Sequence, residues 1–124
     1  MASETLHEDP AKLGPETIDQ HRAIVSLMEE LEAVDWYNQR VKATDNEELR
    51  AILAHNRDEE KEHASMVLEW LRRSDPVLDG HLRTYLFSEG SVLEIEAEST
   101  GAEGAVGAGA DGSLGIGSLR ATEE

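Results

Sequence analysis

The stretch His55–Leu71, HNRDEEKEHASMVLEWL, decides how the chain folds. It contains no Gly or Pro, and its apolar residues recur with helical period. Extended back to Leu49, the line Leu49, Leu53, Asn56, Glu60, His63, Val67, Trp70 advances by steps of four and three, so it lies on one face of a helix. Ile52, Met66 and Leu71 flank that line. This is the face a helix turns toward a core, yet Glu60 and His63 stand at its centre. An ionised carboxylate in apolar surroundings costs roughly several kcal/mol unless a cation, a proton or a metal compensates it. No Lys or Arg shares the line.

Upstream, the stretch from Glu16 to Ala43 is also free of Gly and Pro. Its core line reads Ala23, Leu27, Glu30, Val34, Tyr37, Val41, widened by Ile24, Met28 and Leu31, again with a carboxylate in the middle. Thr44–Glu48, TDNEE, interrupts the pattern. Thr44 with Glu47, or Asp45 with Glu48, fits a capping box that starts a second helix over about Asn46 to Arg73. Ser74-Asp75-Pro76 ends it, because the residue before a proline is pushed out of helical backbone. Each helix is about 40 Å long at 1.5 Å per residue, and the short connection makes them antiparallel neighbours. The midpoint of one then meets the midpoint of the other, so Glu30, Glu60 and His63 converge. Carboxylate-bridged di-iron sites in four-helix bundles take a Glu from each of two helices and Glu-x-x-His from each of the other two. This chain supplies half of that set. A second copy would complete it, and a lone hairpin leaves a wide apolar stripe in water, which argues separately for association.

The composition agrees. The chain has 124 residues, enough for one small domain, and a net charge of −16 from 27 acidic and 11 basic residues. That balance opposes binding to nucleic acid or anionic lipid and favours attraction of cations. With no cysteine, disulfides and thiolate zinc sites are excluded, and oxygen plus imidazole ligands suit iron or manganese better than structural zinc. No apolar run reaches the roughly 20 residues of a membrane helix, and the N-terminal sequence lacks the pattern of a secretory signal. The expectation is a cytoplasmic protein without membrane contact.

The expected organisation is a disordered N-terminus over 1–14, a helical hairpin domain over 15–88 with a short third helix at Val77–Phe87, a flexible linker over 89–112, a docking peptide over 113–120 and a tail over 121–124. Pro15 suits the first turn of the first helix. Within the linker, SVLEIEAES reads as a transient strand or as coil, and GAEGAVGAGADG as flexible. In the peptide SLGIGSLR, which includes Ser118, Leu114, Ile116 and Leu119 would enter small apolar pockets, while Gly115 and Gly117 allow close approach. Among further candidates, Tyr37 lies close enough along its helix to hydrogen-bond or ligate at the site. Trp36 reads as packing, and Glu29 and Glu32 as a weak cation-access site if paired across a dimer. His21, His55 and His81 have no matching partner set.

IVSLMEELEAVDWYNQR (Ile24–Arg40) and ILAHNRDEEKEHASMVLEWLRRSD (Ile52–Asp75), followed by HLRTYLF, closely resemble the encapsulated ferritins, two-helix relatives of ferritin packaged inside encapsulin shells. The similarity covers about residues 16–89, and SLGIGSLR resembles the peptide that loads cargo into such shells. The resemblance implies an all-α hairpin that dimerises into a ferritin-like four-helix bundle, and dimers that close into a ring of ten chains. It implies ferroxidase ligands at Glu30, Glu60 and His63, an aromatic pair at Trp36 and Tyr37 beside them, and a metal-access site at Glu29, Glu32 and Trp36. The expected cofactor is a di-iron centre, with calcium or zinc at accessory sites. The expected partners are a second copy and an encapsulin shell protein in the cytoplasm. The expected activity is oxidation of Fe2+ to Fe3+ by dioxygen or peroxide, feeding mineral storage in the shell. The competing expectation is a non-catalytic metal-binding or structural helical cargo protein.

Overall fold

In the computed structural model, which describes residues 5–107, four α-helices follow one another: α1 (Pro10–Ala43), α2 (Glu47–Ser74), α3 (Pro76–Tyr85) and α4 (Val92–Gly107). No strand occurs among the described residues, so the chain is all-α, as expected. The segment 113–120 and its candidate residues Leu114 to Leu119 lie outside the described residues.

The first helix begins earlier than its sequence suggests. The Asp9 carboxylate accepts from the Ala11 N–H at 3.0 Å, and Pro10 occupies the first turn, where its missing N–H costs little. That turn stops at Gly14, whose φ of 81° and ψ of 160° suit glycine and few other residues. Pro15 then restarts the helix. Residues 10–13, assigned above to a disordered terminus, are therefore a capped turn, and the expected start at Pro15 is a break inside α1.

The connection to α2 is three residues long. Asn46 is the cap, its side chain accepting from the Leu49 N–H at 2.9 Å, while Thr44 Oγ1 accepts from the Asn46 N–H at 3.1 Å. The capping box expected at Thr44 or Asp45 is thus displaced to a single Asn, which makes the same bond without a glutamate returning it. Arg50 reaches back across the turn and donates to the carbonyls of Val41, at 3.3 Å, and Thr44. At the opposite end Gln20 Nε2 lies 3.5 Å from the Ser74 carbonyl. These bonds tie α1 and α2 into an antiparallel hairpin. Its seam contains Val41, Ala64 and Leu71 as buried residues, and no side chain among the described residues is wholly enclosed. Ala23, Leu27, Val34 and Tyr37 of the first line and Leu53, Asn56 and Val67 of the second are half-buried. Asp75, in extended backbone before Pro76, ends α2.

The chain divides at Pro76 into two units. In the second, α3 packs on α4. Leu86–Gly90 turns between them, with Phe87 at φ 62° and Gly90 at φ 91°. The stretch expected as linker, strand or coil is helical through Gly107. The start signal is Ser91-Val92-Leu93-Glu94. Ser91 Oγ accepts from the Glu94 N–H at 3.3 Å, and the Ser91 carbonyl from Ile95 N at 3.0 Å. The alanines and glutamates that follow favour helix enough to carry it past Gly101 and Gly104.

Candidate metal centre

Glu30 stands near the middle of α1, and Glu60 and His63 near the middle of α2. The three-residue spacing of Glu60 and His63 stacks them on one face, and the antiparallel pairing carries Glu30 to the same level. One donor atom from each of the three lies within 4.8 Å of the others. His63 Nδ1 is 3.1 Å from Glu60 Oε1 and 3.8 Å from Glu30 Oε1. The side chains of Glu60 and Glu30 are 24% and 27% exposed, and that of His63 47%. The cluster therefore opens at the edge of the hairpin.

Electrostatics couples the three groups. Glu30 is pushed above the usual carboxylate range, first by its hydrogen bond with Glu60, then by burial and by repulsion from Glu60, against the pull of His63. Glu60 is held below that range by its hydrogen bonds with Glu30 and with His63. The two carboxylates hydrogen-bond to each other and therefore titrate as a pair. His63 is raised, mainly by its bond to Glu60 and further by attraction to Glu30, Glu60 and Glu59, with desolvation opposing. Two carboxylates and an imidazole, with no thiolate in the chain, are hard and borderline donors suited to iron or manganese.

The other candidates do not join this cluster. Glu29, Glu32 and Trp36 are exposed on α1. Tyr37 is half-buried on the site's line, with the Arg40 guanidinium 5.5 Å from its ring centroid. His55 pairs with Glu59 at 3.3 Å, and His81 is exposed on α3. One pair went unread in the sequence: Arg57 Nη1 donates across the helices to Asn38 Oδ1 at 3.0 Å. Its signal was faint, an Arg one turn before Glu60 and an Asn one position off the first line.

Comparison with known proteins gives the family. A family model described as EncFtn-like matches residues 5–89. The chain is 60% identical to an encapsulated ferritin-like protein of Rhodospirillum rubrum, over 97% of this chain and 91% of that one. It is 50% identical to a ferritin-like protein of Thermotoga maritima, over 92% and 96% of the two chains. It is 37% identical to the encapsulin nanocompartment cargo protein EncC of Myxococcus xanthus, over 77% and 80%. A crystal structure of a protein from Nitrosomonas europaea superposes with a TM-score of 0.68 at 61% identity, covering 70% of this chain and 96% of that one. With the family model spanning both long helices and α3, and with relatives this similar along most of their length, the chain belongs to the EncFtn-like family of encapsulated ferritin-like proteins.

Proposed function

We propose that this protein is a ferroxidase, oxidising Fe2+ to Fe3+ at a site that two copies complete between them. The observation that carries the reading is the convergence of Glu30, Glu60 and His63 within 4.8 Å at the facing midpoints of the hairpin. Iron is the substrate as well as the occupant. Each ferrous ion gives up one electron, and dioxygen collects them and leaves, with protons, as peroxide or water. Carboxylates favour the ferric product as hard oxygen donors do. Glu60 would be the central ligand, with Glu30 and His63 holding iron on either side of it. Tyr37 adds a hydroxyl group to the same line.

Two features support a second copy. The donors lie at an open edge, and the helix faces beside them expose Ile24, Leu31, Ile52 and Met66 at 48–63%. Covering these residues removes apolar area from water at about 25 cal/mol per Å2. Glu29, Glu32 and Trp36 are proposed to collect cations at the rim of that interface. The names of the relatives from Rhodospirillum rubrum and Myxococcus xanthus support a place inside an encapsulin shell in the cytoplasm, with the segment 113–120 as its anchor and a ring of dimers as the assembled form.

The test follows ferric absorbance after mixing Fe2+ with protein in air, comparing wild type with Glu30→Ala, Glu60→Ala and His63→Ala. Wild type is expected to oxidise iron well above the buffer rate, and each variant to fall by roughly a hundredfold or to background, as loss of a group acting as part of a unit does. Four curves that coincide with buffer would end the enzymatic reading.

A further inference from the structure

The hydrogen bond between Arg57 and Asn38 has a geometry that reaches beyond packing. Arg57 lies one helical turn before Glu60 on α2, and Asn38 lies two turns beyond Glu30 on α1. One edge of the guanidinium is held by Asp58, with Nε donating to Oδ1 at 2.9 Å and Nη2 to Oδ2 at 3.5 Å. Lys61 Nζ stands 3.4 Å from the same Asp58 oxygen. The free edge crosses to α1 and donates to Asn38 at 3.0 Å. The Arg57 side chain is 20% exposed, against 57% for Lys61. Its hydrogen bonds go to Asn38 and Asp58, so its influence on Glu30, Glu60 and His63 is one of position.

We infer that Arg57 and Asn38 are positioning residues for the metal centre, their bond fixing the axial register at which Glu30 faces Glu60 and His63. The inference rests on the reading of that cluster as a metal site. Hydrophobic contact is non-directional, and the seam of this hairpin buries only Val41, Ala64 and Leu71. Such a seam resists sliding weakly. A slip of one residue displaces a helix by about 1.5 Å and turns each side chain by about 100°. Metal ligands tolerate errors of about 0.2 Å. Arg50 pins the hairpin at its turn through Val41 and Thr44. The Arg57–Asn38 bond pins it again between the turn and the donors. Lys cannot replace the fork, which needs two edges at once, whereas Asp at position 38 keeps the acceptor and adds charge to the bond.

The experiment titrates the full-length chain with Co2+, read by visible ligand-field absorption and by native mass spectrometry, with a thermal melt for each variant. The proteins are wild type, Asn38→Ala, Asn38→Asp, Arg57→Lys and, as control, Glu60→Ala. Asn38→Ala and Arg57→Lys are expected to lose on the order of tenfold in Co2+ affinity, as altered support of ligands does elsewhere, and to change the absorption envelope. Asn38→Asp is expected to restore both. Lowered melting temperatures with unchanged affinity and spectrum would mark the bond as structural and overturn the inference, as would wild-type affinity in both variants. Wild type binding no better than Glu60→Ala is a different failure, that of the metal-centre reading itself. Should Arg57→Lys not fold, Asn38→Ala against Asn38→Asp decides alone.

Discussion

The protons held among Glu30, Glu60 and His63 are what an incoming cation must displace. His63 is raised, so its protonated form persists above its ordinary range, and Glu30 holds its proton to higher pH than an isolated glutamate. Metal needs both groups deprotonated. Affinity is therefore weakest in acid, climbs as pH rises through both raised values, and levels off above them. Calorimetric titration at about pH 6, near the ordinary His value, in two buffers of different ionisation heat checks this. The apparent heats are expected to differ, reporting protons released, and to converge at higher pH. The His63→Ala variant should release fewer protons. Identical heats at the lower pH would contradict proton release from Glu30 and His63 on metal binding. These three residues were legible in the sequence because each is a polar interruption of an apolar line, and periodicity fixes the face of a helix whatever the partner. The partnership of Arg57 and Asn38 was not legible, since a cross-helix bond depends on axial offset and rotamer, which no single-helix pattern encodes. The 47% exposure of His63 was also hidden: the period names the core face but not how much one hairpin can cover.

Helices α1 and α2 were readable as elements, and their ends less so. Asn46, Asp9 and Ser91 each cap a helix, and at the start of α2 Thr44 and Asp45 were cap candidates of equal promise. Helix α4 was missed because Gly101, Gly104 and Gly107 recur along its second half, whereas the Ser-x-x-Glu start acts at one point. Near the end of α2, Glu69 is held down to about 2 by Arg72 and then Arg73, at 2.8 Å and 2.6 Å. A depressed carboxylate contributes stability above its ordinary value of 4.5, and that contribution disappears as pH falls toward about 2. Glu69→Gln is thus expected to melt below wild type at neutral pH and to match it near pH 2, with a modest difference because these side chains are largely solvated. A constant gap across that window would refute the assignment. Deeper in the seam, Leu71 is only 6% exposed. Leu71→Ala is expected to cost about 2–5 kcal/mol in denaturant unfolding of the metal-free protein, and a loss well under 1 kcal/mol would show that the seam closes over the gap.

For the molecule as a whole, the net charge of −16 sets a tension. It draws cations toward the hairpin and pushes copies apart. If two copies complete the site, added salt screens the repulsion, and a divalent metal at the junction removes charge where the copies meet. Sedimentation of the metal-free protein is expected to shift toward larger species as salt rises, and further on addition of Co2+. A monomer unmoved by either would leave the exposed residues of α1 and α2 without an occupant.

The placement of all three donors at one open edge of a hairpin carries a genetic consequence. If two copies complete the centre, as proposed, a chain lacking Glu60 still offers its apolar face, so it would spoil any partner it joins instead of standing aside. Under coexpression in equal amounts with random pairing, roughly one quarter of the pairs keep both halves. The proposed ferroxidase activity, per chain, would then fall as the square of the intact fraction, the pattern of dominant interference, where a self-sufficient site would give a straight line.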